Sequence, residues 1–429
     1  MTSSLSLARP ALHRTVLDNG LVVLVVENPV ADIVAARLFV RAGTSHEPRS
    51  QAGLFALLTS LLTKGSDRFS SMEIADQVES MGASLSSDTS SDYSLLSLKT
   101  VSADFEPMLA LAAHLLRSPT FPEAELELER RLTLQSIRSM QEQPFTVAYN
   151  ALREALYGEH PYALPGIGSL ETVQSLTRQD LLTTHQTYFR PDNMVVAISG
   201  RITQSEAVSL VTTHLGDWSV PPHPVPPLHY PALPPRGTCR VVPQETNQAI
   251  VMVGYQAPPV KHPDYAALKL LSTYLGNGLS SRLFVELREK RGLAYDVSAF
   301  FPSRLGMSQF VAYMGTAPDN AAAALAGLRH EAERLITTPL TAEELQAAKN
   351  KLLGQYALGK QTNAQLAQLL GWYEVLGLGI DFDAAFQEAV AGVTAAAAQG
   401  AAASCFLSPA VALLGPEAAI APLDASPAP

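Results

Sequence analysis

Short apolar runs alternate along this chain with longer stretches whose apolar residues recur at helical spacing. Leu21–Val26 and Ile33–Val40 are nearly continuous apolar runs rich in β-branched residues, which predicts strands. Gly53–Thr63 predicts a helix. A second helix is predicted over Met72–Met81, started by Ser70 or Ser71 and stopped by Gly82. Tyr93–Val101 predicts another strand. Thr177, with Asp180 three residues on, is a capping pair for a helix over Leu181–Tyr188. Further along, Ala249–Val253 and Ser308–Met314 predict strands, and Asp264–Leu275 and Asn320–Ile336 predict helices. Ser280–Tyr295, SSRLFVELREKRGLAY, predicts a helix ending in a cationic turn and a glycine.

Val220–Gly237 interrupts this pattern with eight prolines, which favour extended chain and exclude a helix or central strand. It divides the chain into an N-terminal domain over 1–219, a linker over 220–237 and a C-terminal domain over 238–429. The two parts resemble each other. FPEAELELERRLTLQSI from Phe121 is matched by LTAEELQAAKNKLLGQY from Leu340, and an offset of 219 also carries Leu126 to Leu345 and Gly158 to Gly377. YFRPDNMVVAISG, closing at Gly200, is matched by CFLSPAVALLGP around Gly415. Strands and helices are mixed without regular βαβ alternation. The expected fold is therefore α+β: two homologous sandwich domains, each a mostly antiparallel sheet with helices on one face, closing like a shell. A cleft between such domains is the usual place for a ligand.

Composition narrows the function classes. The chain has 429 residues, 47% hydrophobic and 16% charged, as expected of a folded protein of more than one domain. A net charge of −10 argues against a nucleic-acid partner. Two cysteines, Cys239 and Cys405, cannot form a disulfide framework and imply a reducing compartment or indifference to redox. The first residues, MTSSLSLARPALHRT, have some flavour of a transit peptide but no apolar core for a signal peptide. No apolar stretch is long enough to insert in a membrane, and the Ala-rich run at Ala395–Ala403 predicts a soluble helix. A cytoplasmic location is the expectation.

RAGTSHEPRSQAGLFALLTSLLTKGSDRFSS resembles the zinc-helix region of the M16 (pitrilysin-like) metallopeptidases, a group related to mitochondrial processing peptidases and cytochrome bc1 core proteins. The resemblance continues through Gln141–Pro144, GEHPYALPGIGSLETV, NMVVAISG and SSRLFVELREKRGLAY, in the family's order. Active members carry an inverted His-x-x-Glu-His motif on a helix. Two imidazoles one turn apart share a zinc ion, and the glutamate faces the metal-bound water. Anchored on Lys64-Gly65-Ser66, the three motif positions fall on Ala56, Thr59 and Ser60. The family's third ligand falls on Glu129, and a supporting glutamate falls on Ser136. Glu129 also lies in an acid-rich stretch, and its better reading is a solvated helix residue. The nearest histidine, His46, has no partner at ligand spacing. One carboxylate without imidazoles does not hold zinc well, so no metal is expected in this chain.

The resemblance also carries Arg288 and Tyr295, seven residues apart, onto the family's substrate-gripping pair across the chamber from the zinc. An arginine offers a rigid, always charged fork, and a tyrosine can donate one hydrogen bond to a carbonyl. Lys290, Arg291 and Gly292 are accounted for as a helix C-terminus, but that does not explain Arg288 and Tyr295. Gly276-Asn277-Gly278 is either a plain helix stop or the glycine-containing loop that precedes the gripping helix. No nucleophile elbow, phosphate loop or dinucleotide fingerprint occurs.

The resemblance thus implies half of an active site. The expected role is the non-zinc-binding subunit of a heterodimeric peptidase. Its partner would be a homologous chain with an intact motif, which supplies the zinc, and its substrate a peptide or unfolded polypeptide. Two alternatives stay open: a non-enzymatic core or assembly subunit, and a homodimeric enzyme with an unorthodox metal site.

Overall fold

A computed structural model describes residues 11–234 and 237–423. The first half builds a six-stranded sheet from β1 (Leu12–Val16), β2 (Val22–Glu27), β3 (Val34–Val40), β4 (Ser84–Thr89), β5 (Ser94–Thr100) and β6 (Met194–Gly200), in the order β1-β2-β6-β3-β5-β4. Its helices are α1 (Leu54–Leu61), α2 (Ser71–Ser80), α3 (Phe105–Arg117), α4 (Glu123–Gln141), α5 (Pro144–Tyr157), α6 (Leu170–Ser175), α7 (Arg178–Tyr188) and α8 (Gln204–Leu215). The second half builds a five-stranded sheet from β7 (Cys239–Pro243), β8 (Ala249–Ala257), β9 (Asp296–Phe300), β10 (Ser308–Thr316) and β11 (Ala410–Gly415), in the order β7-β11-β8-β10-β9. Its helices are α9 (Tyr265–Gly276), α10 (Ala321–Thr337), α11 (Ala342–Leu358), α12 (Asn363–Val375), α13 (Phe382–Gly392) and α14 (Ala395–Cys405).

The two sheets share one topology. In each, a parallel pair (β2 with β6, β7 with β11) joins an antiparallel run (β6-β3-β5-β4, β11-β8-β10-β9), and β1 is an extra edge strand on the first. Gly200 and Gly415 close equivalent strands with φ of +154° and +158°. Gly158 and Gly377, paired by the sequence offset, both adopt the left-handed region just past α5 and α12, at φ +54° and +64°. A side chain is strained there, which explains why glycine occurs at both copies.

Most strands predicted from apolar runs form within a residue or two of expectation, as do most of the helices, but the predicted Ala249–Val253 strand runs on to Ala257, where it pairs with β10. Ser70 caps α2 by accepting from the Glu73 amide, with Glu73 returning the bond. Thr177 and Asp180 form the expected capping pair, but the helix starts at Arg178, ahead of Leu181, because the cap residue itself sets the first turn.

Each half lays its own helices on one face of its sheet, as expected. Val23, Val25, Leu38 and Ile198 pack there against α1 and α3. The opposite faces are also covered, by one helix exchanged from each half. α12 lies on β3 and β6 of the first sheet, and α5 lies on β8 and β11 of the second. This is why β2, β3 and β6 are apolar on both sides instead of alternating. Glu374 of α12, almost buried, accepts from Arg14 on β1 at 2.8 and 3.1 Å and pairs with Arg41 at 3.4 Å. The α5 residues Leu152 and Leu156 are buried against Ile250, Met252 and Leu414, each side chain contributing about 1.5–3 kcal/mol.

From Val220 to Pro234 the proline-rich segment forms neither helix nor strand and is pinned at several points. Arg190 donates to the carbonyls of Pro221 and His223. Tyr230 stacks on His160 with centroids 4.6 Å apart, and Gln256 donates to the Pro234 carbonyl at 3.1 Å. Among the described residues no helix is long and apolar enough to cross a membrane.

Candidate functional site

The helix expected to carry a zinc motif forms where the sequence places it. The buried Glu47 caps it, its two carboxylate oxygens accepting from the Gly53 and Phe55 amides at 2.8 and 2.9 Å. Burial outweighs these bonds and pushes the Glu47 carboxyl up to about 8. Ala56, Thr59 and Ser60 all face one cleft. None is aimed to ligate a metal. Ala56 offers a methyl group, the Thr59 hydroxyl donates back to the Phe55 carbonyl at 2.8 Å, and the Ser60 hydroxyl donates to the Leu57 carbonyl at 2.9 Å. Alcohols bound to their own helix backbone do not supply the imidazole and carboxylate donors zinc takes. These residues do not fit the ion.

Glu129, from α4, pairs with Lys64 at 3.7 Å and is half-buried, so it is an ion-pair member and not a freely solvated residue. Ser136 is exposed and bonds its own helix. His46 is wedged between Phe55 and Tyr188, its Nδ1 accepting from the Gly43 amide at 3.2 Å. Burial pushes it down to about 4. No three His, Cys, Asp or Glu side chains converge among the described residues.

The cleft has a volume of about 530 Å³. One wall is α1, and a second is the β4–β5 hairpin with Ser87, Asp88, Thr89, Ser90 and Ser91. Tyr149 and Arg153 of α5 and Arg304 of the second half complete it. Behind the hairpin, the buried Asp92 accepts from the Tyr162 hydroxyl at 2.5 Å and from the Leu305 amide at 3.2 Å. The Tyr162 oxygen in turn accepts from the Gly306 amide at 3.1 Å. This node ties the hairpin tip to the second half and holds the mouth of the cleft. The sequence reading named none of the hairpin residues nor the two arginines. The hydroxyl run Ser86–Ser91 was a visible signal, but its neighbours come from three distant segments.

Arg288 and Tyr295 stand elsewhere, outside the cleft wall. The predicted helix forms there, but as a π-turn, Phe284–Glu289, in which the Lys290 amide reaches back five residues to the Val285 carbonyl at 3.0 Å. Such turns recur at functional positions. Leu287 is buried against α10, where Gly327 leaves room for it: a Cβ there would stand 2.8 Å from Leu287 Cδ2. Glu331, buried at 1% exposure, takes Arg282 at 2.7 Å on one side of the turn and Arg291 at 4.0 Å on the other. The extra residue leaves Arg288 exposed, its guanidinium 4.9 Å from the Phe284 ring centre. Tyr295 is 63% exposed at the start of β9, its amide bonded to the Gly315 carbonyl at 2.8 Å. Neither side chain bonds another residue among those described.

The loop before this turn has a packing role. A Cβ on Gly276 would lie 1.8 Å from the Ala299 nitrogen, so α9 can end against β9 only with glycine there. Gly278 has φ +76°, and Lys351 donates to the neighbouring Asn277 carbonyl.

Comparisons with known proteins bear on the family and the fold. Residues 22–169 match the family model described as insulinase (peptidase family M16), and residues 175–352 match that of the peptidase M16 inactive domain. An uncharacterized zinc protease of Mycobacterium leprae is 28% identical over 84% of this chain and 82% of its own length. A crystal structure of a Pseudomonas fluorescens peptidase M16 inactive domain superposes with a TM-score of 0.87 at 25% identity, over 94% of this chain and 98% of that one. The structure of a Helicobacter pylori protease has the same fold, with a TM-score of 0.89 at 24% identity over 95% of this chain and 100% of that one.

Proposed function

Because this chain belongs to the M16 peptidase family, we propose that it is the non-zinc-binding subunit of a two-chain zinc peptidase. It supplies Arg288 and Tyr295 to hold a peptide substrate opposite a zinc ion carried by a homologous chain with an intact His-x-x-Glu-His motif. The observation that supports this best is the separation of two features. The positions that carry the motif in active members line a cleft here with a methyl group and two self-satisfied hydroxyls. The arginine and tyrosine of the gripping pair stand on open surface outside that cleft, Arg288 against the Phe284 ring and neither side chain bonded to another residue's polar group among those described. A charged fork and a phenol without a site of their own can act on a carbonyl presented by another chain.

The test is cleavage of fluorescein-labelled casein by the purified chain, alone and after co-expression with a zinc-bearing homologue. The single chain should be inactive, and the pair should cleave and be stopped by a chelator. Chelator-sensitive cleavage by the single chain would overturn the proposal. In the pair, Arg288→Ala should lower turnover at least tenfold, about 1.4 kcal/mol, with assembly by size-exclusion chromatography unchanged. Unaltered turnover would remove Arg288 from the role given to it.

A further inference from the structure

The cleft that lacks metal donors is rich in donors of another kind. Arg153 and Arg304 both line it, one from α5 of the first half and one from the loop before β10 of the second. Arg153 is half-buried. It donates to the carbonyls of Tyr162, at 2.9 Å, and Leu164, and its guanidinium lies 5.7 Å from the Tyr149 ring centre. No carboxylate pairs with it among the described residues, and burial, with repulsion from Arg304, lowers its pKa. Arg304 lies over the Tyr162 ring at 5.2 Å, with Asp92 behind that ring bonded to Tyr162 and the Leu305 amide. A buried or half-buried cation without a counter-ion is costly. Arg153 is such a cation, and Arg304, its charge partly met by the buried Asp92, adds a second guanidinium to the same wall, so an anion in the cleft is favoured.

The ligand's size and shape follow from the rest of the wall. A cavity of about 530 Å³ is far larger than a lone inorganic anion needs and falls in the range for an organic ligand. Ile167, Tyr149 and Ala56 give it apolar surface, while Ser90 and Ser91 offer hydroxyls. A planar carboxylate matches the guanidinium fork. We propose that this cleft binds the C-terminal carboxylate of an extended peptide, held by Arg153 and Arg304. The proposal rests on the reading of this chain as a peptide-handling subunit, but it concerns a different surface from Arg288 and Tyr295. Asp88, exposed on the same wall with its Oδ1 accepting from the Thr89 amide at 2.7 Å, opposes the ligand's charge and limits its affinity.

Two fluorescein-labelled octapeptides of one mixed sequence, one ending in a free acid and one in an amide, test this on the single chain by fluorescence anisotropy. The acid should bind about tenfold tighter, the size of one charge-assisted hydrogen bond, and the preference should shrink with added salt. Arg304→Gln and Arg153→Gln should each reduce it, and Asp88→Asn should increase it. Arg153 also holds two carbonyls, so circular dichroism must show that variant folded. Arg304→Gln and Asp88→Asn decide the matter if it is not. Equal binding of acid and amide, no binding of either, or a preference that survives Arg304→Gln would each overturn the site. Saturation of the cleft by millimolar inorganic phosphate, without an acid preference, would assign the arginines to phosphate and overturn it equally. An inactive pair with the acid preference intact would sink only the split-site proposal. An active pair with no preference would sink only this one.

Discussion

α2 and the Arg282–Lys290 segment occupy the same place in the two halves, after the first helix and before the third strand of the shared topology (β4 and β9). α2 obeys every local rule. A serine and glutamate cap it reciprocally, it runs regularly from Ser71 to Ser80, and Gly82 ends it at φ +57°. Its counterpart also ends at a glycine, Gly292 at φ +63°, but holds an extra residue as a π-turn. The irregular copy is bracketed by a buried carboxylate and carries the exposed Arg288; the regular copy carries nothing of the kind. Departures from local preference persist where surrounding structure enforces them, and they cluster at functional positions. The first half shows the converse. Its α1 is well capped and well packed, and the chemistry the fold could place there is gone.

Acid should expose the difference between the halves most strongly. His46, His160 and His185 all lie in the first half, and burial pushes each down to about 4. The folded state therefore binds fewer protons than the unfolded one between pH 6.5 and 4. Their stabilisation is complete above pH 6.5 and is lost as pH falls through that window. Glu47, raised to about 8, and Asp92, raised by burial, work the other way, their contributions fading as pH rises (for Glu47 from 4.5 to 8), two groups against three. Hydrogen exchange at pH 7, 5.5 and 4 should show the first half losing protection before the second. Simultaneous loss would refute this assignment.

Removing the carboxylate beneath the π-turn is the next largest perturbation. Glu331→Ala leaves Arg282 and Arg334 without their buried partner and should cost about 3–5 kcal/mol, read by urea denaturation. The equivalent test on the regular copy is Ser70→Ala, which loses one cap and should cost about 1 kcal/mol. Similar costs for the two would mean that the π-turn is not held by Glu331.

The exchanged helices offer an intermediate comparison. A Cβ on Gly371 of α12 would stand 2.2 Å from the Phe39 ring, whereas one on Gly254, beneath α5, would meet the tips of Leu156 and Leu152 at 2.8 and 3.0 Å. A ring locked in a buried sheet cannot yield as leucine tips can. Gly371→Ala should therefore destabilise by about 3 kcal/mol and Gly254→Ala by about 1. The reverse order would show that the seat of α12 is the more adaptable.

Strand and helix positions were legible because they follow from residue preferences and apolar spacing, as at Leu21–Val26 or Thr177–Asp180. The duplication was legible because glycines at helix ends, such as Gly158 and Gly377, must recur wherever the same backbone turn recurs. That Ala56, Thr59 and Ser60 bring a methyl group and two alcohols to the cleft could be read directly, since folding changes where a side chain points but not its chemistry. Other features depend on contacts between residues far apart in the chain. The exchange of α5 and α12 is one, because an apolar helix face does not say which sheet it will cover. The π-turn is another, since its register is set by Glu331 and Gly327 on α10. The meeting of Arg153 and Arg304 in one cleft is the third, the two being 151 positions apart in the sequence. Local preference determines elements and removes chemistry, while only tertiary packing decides which side chains share a space.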